Sequence, residues 1–288
     1  MRIVIFAILA VSGTVLLAAA PAFAWGPSAH LYIGKQALDQ ASSLGPYLSA
    51  LLSSNPLDFL YGSIFADMSL GKKFLHYAKF AHNWRVGFSM RDTAETDAEA
   101  ACAWGYLAHL AADTVSHNEY IPRKLVEHYK LLGRGHIFFE GRFDSMLPDK
   151  NIHELSRDVI DAGTEHNDEF LEKSITHSLL SFNTNRRLYR SLLTIHRNKN
   201  LQQYRRYRTL HKNHLSHAEV REYLQRSQDA VMDLLENARA AACYAQDPHG
   251  KLALKQAASI RFKLRRSINA RKLLKEALET VTIGPHRS

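Results

Sequence analysis

The sequence predicts an all-α fold. Apolar residues recur at helical spacing along most of the chain, and strong hairpin signals are scarce. The 288 residues are 46% hydrophobic, which is enough to bury one large core or two smaller ones. We therefore expect a multi-helix domain that continues into a helical C-terminal extension.

The first 24 residues have the features of an export signal. An apolar run follows Arg2 and ends in Ala-Phe-Ala at 22–24, the small-residue pattern that precedes signal-peptidase cleavage. Cleavage there would make Trp25 the first residue of the mature protein. The run is also close to the length of a membrane span, so an uncleaved anchor is the alternative. We expect an exported protein, either periplasmic or secreted.

Proline, glycine and capping residues divide the next part of the chain into helices. One helix is predicted to start after Pro27 and Ser28, and a short one is predicted to end at Pro56. Across residues 57–90, glycine and aromatic residues break the helical period, which favours loops around short helices.

The longest predicted helix begins at a capping box formed by Thr96 and Glu99. The Ala/Leu-rich stretch after it is predicted to run to about Asn118, before Pro122. A glycine-bounded turn, LLGRG, then precedes a further helix that starts near His136.

We divide the mature chain into a core, residues 25–150, and a basic helical continuation, residues 151–288, which carries no motif that places its function. The formal net charge is +9, and the excess of Lys and Arg lies in the continuation. Its most basic tract, residues 185–215, also contains tyrosines. Such a tract suits an anionic membrane surface or a nucleic acid, and a solvated helical face is the alternative.

His109, Asp113 and His117 recur at intervals of four and therefore share one face of the longest helix. His109 with Asp113 can chelate one ion, and Asp113 with His117 can flank another. The two histidines are about 12 Å apart along the helix axis, too far for both to bind one zinc. The stripe implies more than one metal ion, bridged by the carboxylate. The alternative is two core histidines with backbone or tyrosine partners.

A second pair, His136 and Glu140, repeats the imidazole-plus-carboxylate spacing, with Phe138, Phe139 and Phe143 beside it. Ordinary core packing does not require this spacing twice, so the pair strengthens the metal interpretation.

Two upstream residues, Asp67 and His82, are polar side chains in apolar or aromatic settings. Each could be a ligand, a helix cap or a hydrogen-bonded core residue. Cys102 and Cys243 could form a disulfide in an exported protein or remain two buried thiols.

Together these residues resemble the zinc-dependent phospholipase C superfamily, which also contains the single-strand-specific zinc nucleases. That family is all-helical, holds three zinc ions in one cleft, and uses the free amino terminus of a mature Trp as its first ligand. The predicted cleavage would expose Trp25 in the same way. The resemblance covers roughly residues 25–143.

The resemblance implies nine metal ligands in three sets. The first set is Trp25 with His30, the second is Asp67, His82 and His109, the third is His117, His136 and Glu140, and Asp113 bridges the first two. His76 is the alternative to His82. Asp67 is also a candidate general base, so Asp67 and Asp113 are the implied catalytic residues.

The resemblance implies a zinc-dependent phosphodiester hydrolase, and specifically a phospholipase C that releases diacylglycerol and a phosphorylated head group. Glu140 as the last ligand and the short interval from Asp113 to His117 favour this branch over the nucleases. The short spacing from Trp25 to His30 and the basic second half favour a nuclease with nucleic acid as substrate. A non-catalytic zinc-binding protein is a further alternative. The expected partners are phospholipid and an anionic membrane surface.

Overall fold

The fold is that of a computed structural model, which describes residues 25–66, 82–131, 135–149, 151–162, 165–174, 184, 187 and 215–282. Within these ranges the chain forms helices and no strand, so the predicted all-α class is confirmed. None of the helices in the described ranges is both long enough and apolar enough to cross a membrane. The predicted leader and nearly all of the basic tract, residues 185–215, lie outside the described residues.

Proline marks the start of the first three helices. These are α1 (Pro27–Asp39), α2 (Pro46–Ser54) and α3 (Pro56–Phe65). Each has proline in its first turn, where the missing N–H costs no helical hydrogen bond. The helices predicted after Pro27 and before Pro56 are therefore present, and Pro56 also starts the next helix.

The region expected to hold loops around short helices, residues 57–90, contains most of α3 and of α4 (Trp84–Thr93). Residues 67–81 between them lie outside the described chain. Asn83 caps α4, since its side-chain oxygen accepts a hydrogen bond from the Val86 N–H at 3.0 Å.

The central helix is α5 (Asp97–Val115), and the predicted capping box starts it. The Glu99 N–H donates to Thr96 Oγ1 at 3.2 Å, and the Thr96 N–H donates to Glu99 Oε2 at 3.2 Å. Every residue from Ala100 to Val115 is buried. A helix that is buried all round must be enclosed by neighbours on every side.

A π-helical turn, Ser116–Tyr120, joins α5 directly to α6 (Ile121–Glu127). The sequence predicted that the helix ends near Asn118, but Pro122 lies in the first turn of α6. Proline there cannot donate to the carbonyl four residues earlier. The carbonyl concerned is that of Asn118. The Asn118 side-chain amide donates to the Thr114 carbonyl at 2.8 Å.

Six further α-helices lie in the described ranges, which also contain three short 3₁₀ helices. They are α7 (Gly135–Asp144), α8 (Ile152–Asp161), α9 (Glu165–Ser174), α10 (His217–Asn237), α11 (Lys251–Arg266) and α12 (Ala270–Thr282). The first of them is the helix predicted near His136. A capping box between Ser216 and Glu219 starts α10.

The second half of the chain packs on the same core as the first. The ring of Tyr223, on α10, lies 5.1 Å from that of Tyr120. The buried ammonium of Lys124 bonds to Glu127 at 2.7 Å and to Glu219 of α10. Cys102 and Cys243 are both buried and free, so no disulfide joins the two halves. Burial raises the pKa of the Cys243 thiol to about 12.

The backbones of α3 and α5 are in contact where they cross. A Cβ atom on Gly62 would lie 2.0 Å from the Cys102 carbonyl oxygen, and one on Gly105 would lie 1.9 Å from the Phe59 carbonyl oxygen. Real Cβ atoms do not approach backbone this closely. The two glycines therefore set the distance between the helices.

Replacing Gly105 with Ala should force α3 and α5 apart. We expect the free energy of unfolding to fall by about 1–3 kcal/mol, the usual cost of overpacking. The matched control is Gly141→Ala on α7, where a Cβ meets nothing within 4 Å and helix propensity favours Ala. Urea unfolding of both variants measures the difference. Equal stability of the two variants would contradict the backbone contact.

Candidate metal centre

The Asp113 carboxylate lies at the centre of a cluster of imidazoles. Asp113 is on α5 and is 0% exposed. His30 Nε2 lies 3.2 Å from Oδ1, His82 Nε2 lies 2.8 Å from Oδ2, and His109 Nε2 lies 3.3 Å from Oδ2. Three elements converge here, because His30 comes from α1, His82 from the residues before α4 and His109 from the preceding turn of α5.

The donor atoms are spaced as they are around a shared ion. The Nε2 atoms of His82 and His109 lie 2.8 Å apart, and both lie close to the same carboxylate oxygen of Asp113. Four ligands about 2.0–2.1 Å from a tetrahedral zinc are about 3.3 Å from one another. Among the described residues, one donor atom from each of His30, His109 and Asp113 lies within 4.8 Å of the others. Imidazole nitrogen and carboxylate oxygen are ligands that suit zinc, so the residues fit this metal.

The main chain of α3 fixes the orientation of His109. Its Nδ1 lies 2.8 Å from the Ser63 carbonyl oxygen. A carbonyl can only accept, so Nδ1 carries a proton, and Nε2 is the nitrogen that faces Asp113 and would bind a metal. This contact depends on the close crossing of α3 and α5.

The charge on Asp113 is stabilised although the side chain is buried. Burial alone would raise its pKa, but the charges and hydrogen bonds of His109 and His30 hold the pKa of this carboxyl well below its usual value. The carboxylate is therefore ionised at neutral pH, the form that binds a cation.

A second group of donors comes from the π-helical turn after α5, which contains His117, and from α7. His136 Nε2 lies 3.0 Å from Glu140 Oε1, and the rings of His117 and His136 are 5.3 Å apart and nearly perpendicular. His117 Nδ1 donates to the Pro248 carbonyl oxygen at 2.5 Å, which leaves Nε2 as the donor atom for a metal. Burial lowers the pKa of His117 to about 4, so this imidazole is neutral at pH 7.

Trp25 is held beside the first cluster. Its side chain is fully buried, and the indole N–H donates to the Ala112 carbonyl oxygen at 3.0 Å. The indole also packs on Tyr120 and Phe143, with ring centroids 5.0 and 4.1 Å away. Residue 25 therefore lies against the turn of α5 that carries Asp113.

The helices that carry the two groups are tied together by Asp144, the last residue of α7. Its carboxylate accepts hydrogen bonds from the N–H groups of Ser28, at 3.2 Å, and Ala29, at 3.1 Å, in the first turn of α1. An acidic group at a helix N-terminus is stabilising. These two hydrogen bonds couple the position of His30, on α1, to that of His136 and Glu140, on α7.

A family model described as zinc dependent phospholipase C matches residues 29–189, more than half of the chain. The chain belongs to the zinc-dependent phospholipase C family. No curated protein and no solved structure matches it. The resemblance inferred from the sequence is thereby confirmed. Membership implies a zinc-dependent phospholipase C enzyme, and it agrees with the donor types of the first cluster.

The structure brings together most of the residues that were predicted from the sequence to be metal ligands. His30, His82, His109 and Asp113 form the first cluster, while His117, His136 and Glu140 form the second. Asp67 and His76 lie outside the described residues. The assignment of individual ligands, and the catalytic roles of Asp67 and Asp113, remain predictions.

Two carbonyl groups and one histidine at the site were not predicted from the sequence. The Ser63 and Pro248 carbonyls orient His109 and His117, and main-chain acceptors have no sequence signature. His249, in the turn sequence DPHG, lies with its ring centroid 4.9 Å from that of His82. The signal that could have found it is an imidazole placed between a proline and a glycine, where the backbone is constrained.

The lowered pKa of His117 makes the stability of the zinc-free protein depend on pH. Between about pH 6.5 and 4 the unfolded chain binds a proton that the folded His117 does not, so stability should fall as the pH falls through this window. The full contribution is on the order of 3 kcal/mol. Urea unfolding of chelator-treated protein at pH 7 and pH 5 measures the part of it that is lost between these two values, about 2 kcal/mol. His117→Gln should reduce the difference, and an unchanged difference would contradict the neutral imidazole.

Proposed function

We propose that the protein is an exported zinc-dependent phospholipase C, which hydrolyses the glycerol-side phosphodiester bond of a phospholipid to diacylglycerol and a phosphorylated head group. The observation that carries the proposal is the placement of Asp113 on one buried helix between two groups of imidazoles. Family membership supports the general activity, and the donor geometry supports a centre with more than one zinc ion.

The protein's own residues would hold and orient the metal. His30, His82, His109 and Asp113 would hold zinc in the first cluster, and His117, His136 and Glu140 would hold zinc in the second. Bound zinc supplies a Lewis acid, which lowers the pKa of a coordinated water and offsets the charge of a phosphodiester. The Ser63 and Pro248 carbonyls keep Nδ1 of their histidines protonated, so each Nε2 would be the atom that binds the metal.

The amino group of Trp25 would complete the first cluster once the leader is removed. The support is the bond from the indole to the Ala112 carbonyl, which holds residue 25 next to Asp113. The proposal includes cleavage after Ala24 and a total of three zinc ions per chain. An amine ligand must be neutral, so binding through this group should weaken in acid.

A face of α11 supports contact with an anionic membrane. Leu252 and Phe262, on this helix, are 69% and 60% exposed, and Ile268 just beyond it is fully exposed. Lys255 and Arg266 lie on the same side of α11, at helical spacing from the two apolar residues. Apolar side chains that insert beside cations are typical of proteins that bind at the interface of anionic lipid.

The experiment is a hydrolysis assay of the chain that begins at Trp25. Vesicles of phosphatidylcholine with a fraction of anionic phospholipid are one substrate, and single-stranded DNA is the other. We expect zinc-dependent release of diacylglycerol, loss of activity on chelation, and recovery on adding zinc. Faster zinc-dependent cleavage of DNA would place the protein with the nucleases.

The matched variants are Asp113→Asn and Asp92→Asn. Asp113→Asn removes the charge at the centre of the first cluster, so we expect zinc content to fall and the rate to drop by at least 100-fold. Asp92 is an exposed carboxylate on α4, paired with Arg91 and Arg239, and its replacement should leave both quantities unchanged. Zinc-free protein with full activity would contradict the proposal.

A further inference from the structure

The loop formed by residues 246–250 lies on the metal centre, although it is outside the part of the chain matched by the family model. Three of its carbonyl groups accept hydrogen bonds from side chains near the site. The Trp84 indole donates to the Gln246 carbonyl at 2.8 Å, and the Asn118 amide donates to the Asp247 carbonyl at 3.0 Å. The third donor is His117 Nδ1, on the Pro248 carbonyl.

Gly250 lets this loop touch the backbone of the site directly. Its φ is 55°, in the left-handed region, and a Cβ atom there would lie 2.2 Å from the His117 carbonyl oxygen. A side chain is excluded both by the conformation and by the contact. The loop is therefore held in one arrangement, with His249 between two anchored residues.

The rings of His249 and His82 have nearly the same relative geometry as the ring pairs of the proposed ligands. The centroids of His82 and His249 are 4.9 Å apart with a 71° angle between the rings. The His82–His109 pair has 4.9 Å and 83°, and the His117–His136 pair has 5.3 Å and 88°. Two imidazoles bound through nitrogen to one tetrahedral zinc have centroids about 5 Å apart, given metal–nitrogen distances of about 2.0–2.1 Å.

Asp247 is placed to orient this ring. Its Oδ1 lies 3.4 Å from His249 Nδ1 and accepts a hydrogen bond from the His249 N–H at 3.0 Å. A carboxylate beside Nδ1 favours the proton on that nitrogen and leaves Nε2 as the metal donor. The arrangement resembles the carboxylate–histidine pair that accompanies metal-binding histidines in many proteins, with a side-chain separation of 3.4 Å.

We propose that His249 is a further imidazole ligand of the zinc ion held by His82 and Asp113. The proposal rests on the proposed metal centre and adds a donor from the C-terminal continuation to it. The continuation then completes the site, because the Pro248 carbonyl of its loop orients His117 and the next residue, His249, supplies a ligand.

The test measures metal binding rather than turnover. The chain that begins at Trp25 is freed of metal, and its affinity for zinc is measured by competition with a chromophoric chelator. Cobalt(II) is then added as a spectroscopic substitute, and its visible absorption is recorded. The variants are His249→Gln, Asp247→Asn, and the control His166→Gln, which replaces an exposed histidine of α9 that pairs with Asp58 of α3.

We expect His249→Gln to weaken one zinc site by at least 100-fold and to change the cobalt(II) spectrum. Asp247→Asn should weaken the same site by about 10- to 100-fold, the usual range for a residue that orients a ligand. The control should match the unmodified protein. Unchanged zinc affinity and an unchanged cobalt spectrum in His249→Gln would overturn the proposal.

A measurement on the unmodified protein covers the case in which His249→Gln does not fold. Diethyl pyrocarbonate modification of the peptide that contains His249 is followed by mass spectrometry with and without zinc. Protection by zinc supports ligation, and equal modification overturns it. If the zinc-loaded protein binds metal through His249 but hydrolyses no phospholipid, the proposed function fails and this inference stands.

Discussion

The fold is organised around one buried charge, the Asp113 carboxylate. A carboxylate with no solvent exposure is costly unless positive charge and hydrogen bonds surround it. Three imidazole nitrogens lie within 3.3 Å of its oxygens, and these nitrogens are also ligands for a cation. A bound zinc ion would satisfy the carboxylate and the imidazoles together. This explains why polar groups from three elements meet beside the otherwise apolar helix α5.

Asp113 is buried because α5 is enclosed on every side. Small residues make this possible, since Gly62 and Gly105 let α3 approach until the Ser63 carbonyl reaches His109. Asp144 ties α7 to the start of α1, and the loop before α11 closes over His117. Each group of donors is therefore assembled from distant segments. Metal binding and folding are expected to be coupled, because the unfolded chain has no preformed site.

The parts of the site that could be predicted from the sequence are local. His109 and Asp113 are neighbours on α5 by spacing alone, as are His136 and Glu140 on α7, and the capping box at Thr96 marks the start of α5. His117 was expected on the same helix but lies in the π-helical turn that follows it. The role of Gly62 at the helix crossing could not be predicted, because a glycine interrupts the helical pattern of the sequence both in a loop and at a helix crossing. The sequence predicted loops around short helices across residues 57–90, and the described part of this segment contains most of α3 and of α4.

The parts that could not be predicted depend on tertiary contacts. Which carbonyl meets which imidazole is decided by how the helices pack, so the Ser63 and Pro248 contacts have no sequence signal. The second half of the chain was left without a role, yet it contributes to the core through Tyr223 and Glu219 and to the site through the loop at 246–250. The most direct measurement of the central claim is a crystal structure of the chain that begins at Trp25, with anomalous diffraction recorded at the zinc absorption edge. We expect anomalous peaks within bonding distance of the Asp113 carboxylate and of His117, with the Trp25 amino nitrogen on one of the ions. Zinc bound only at surface sites, with the imidazoles around Asp113 hydrogen-bonded to protein or water, would contradict the account.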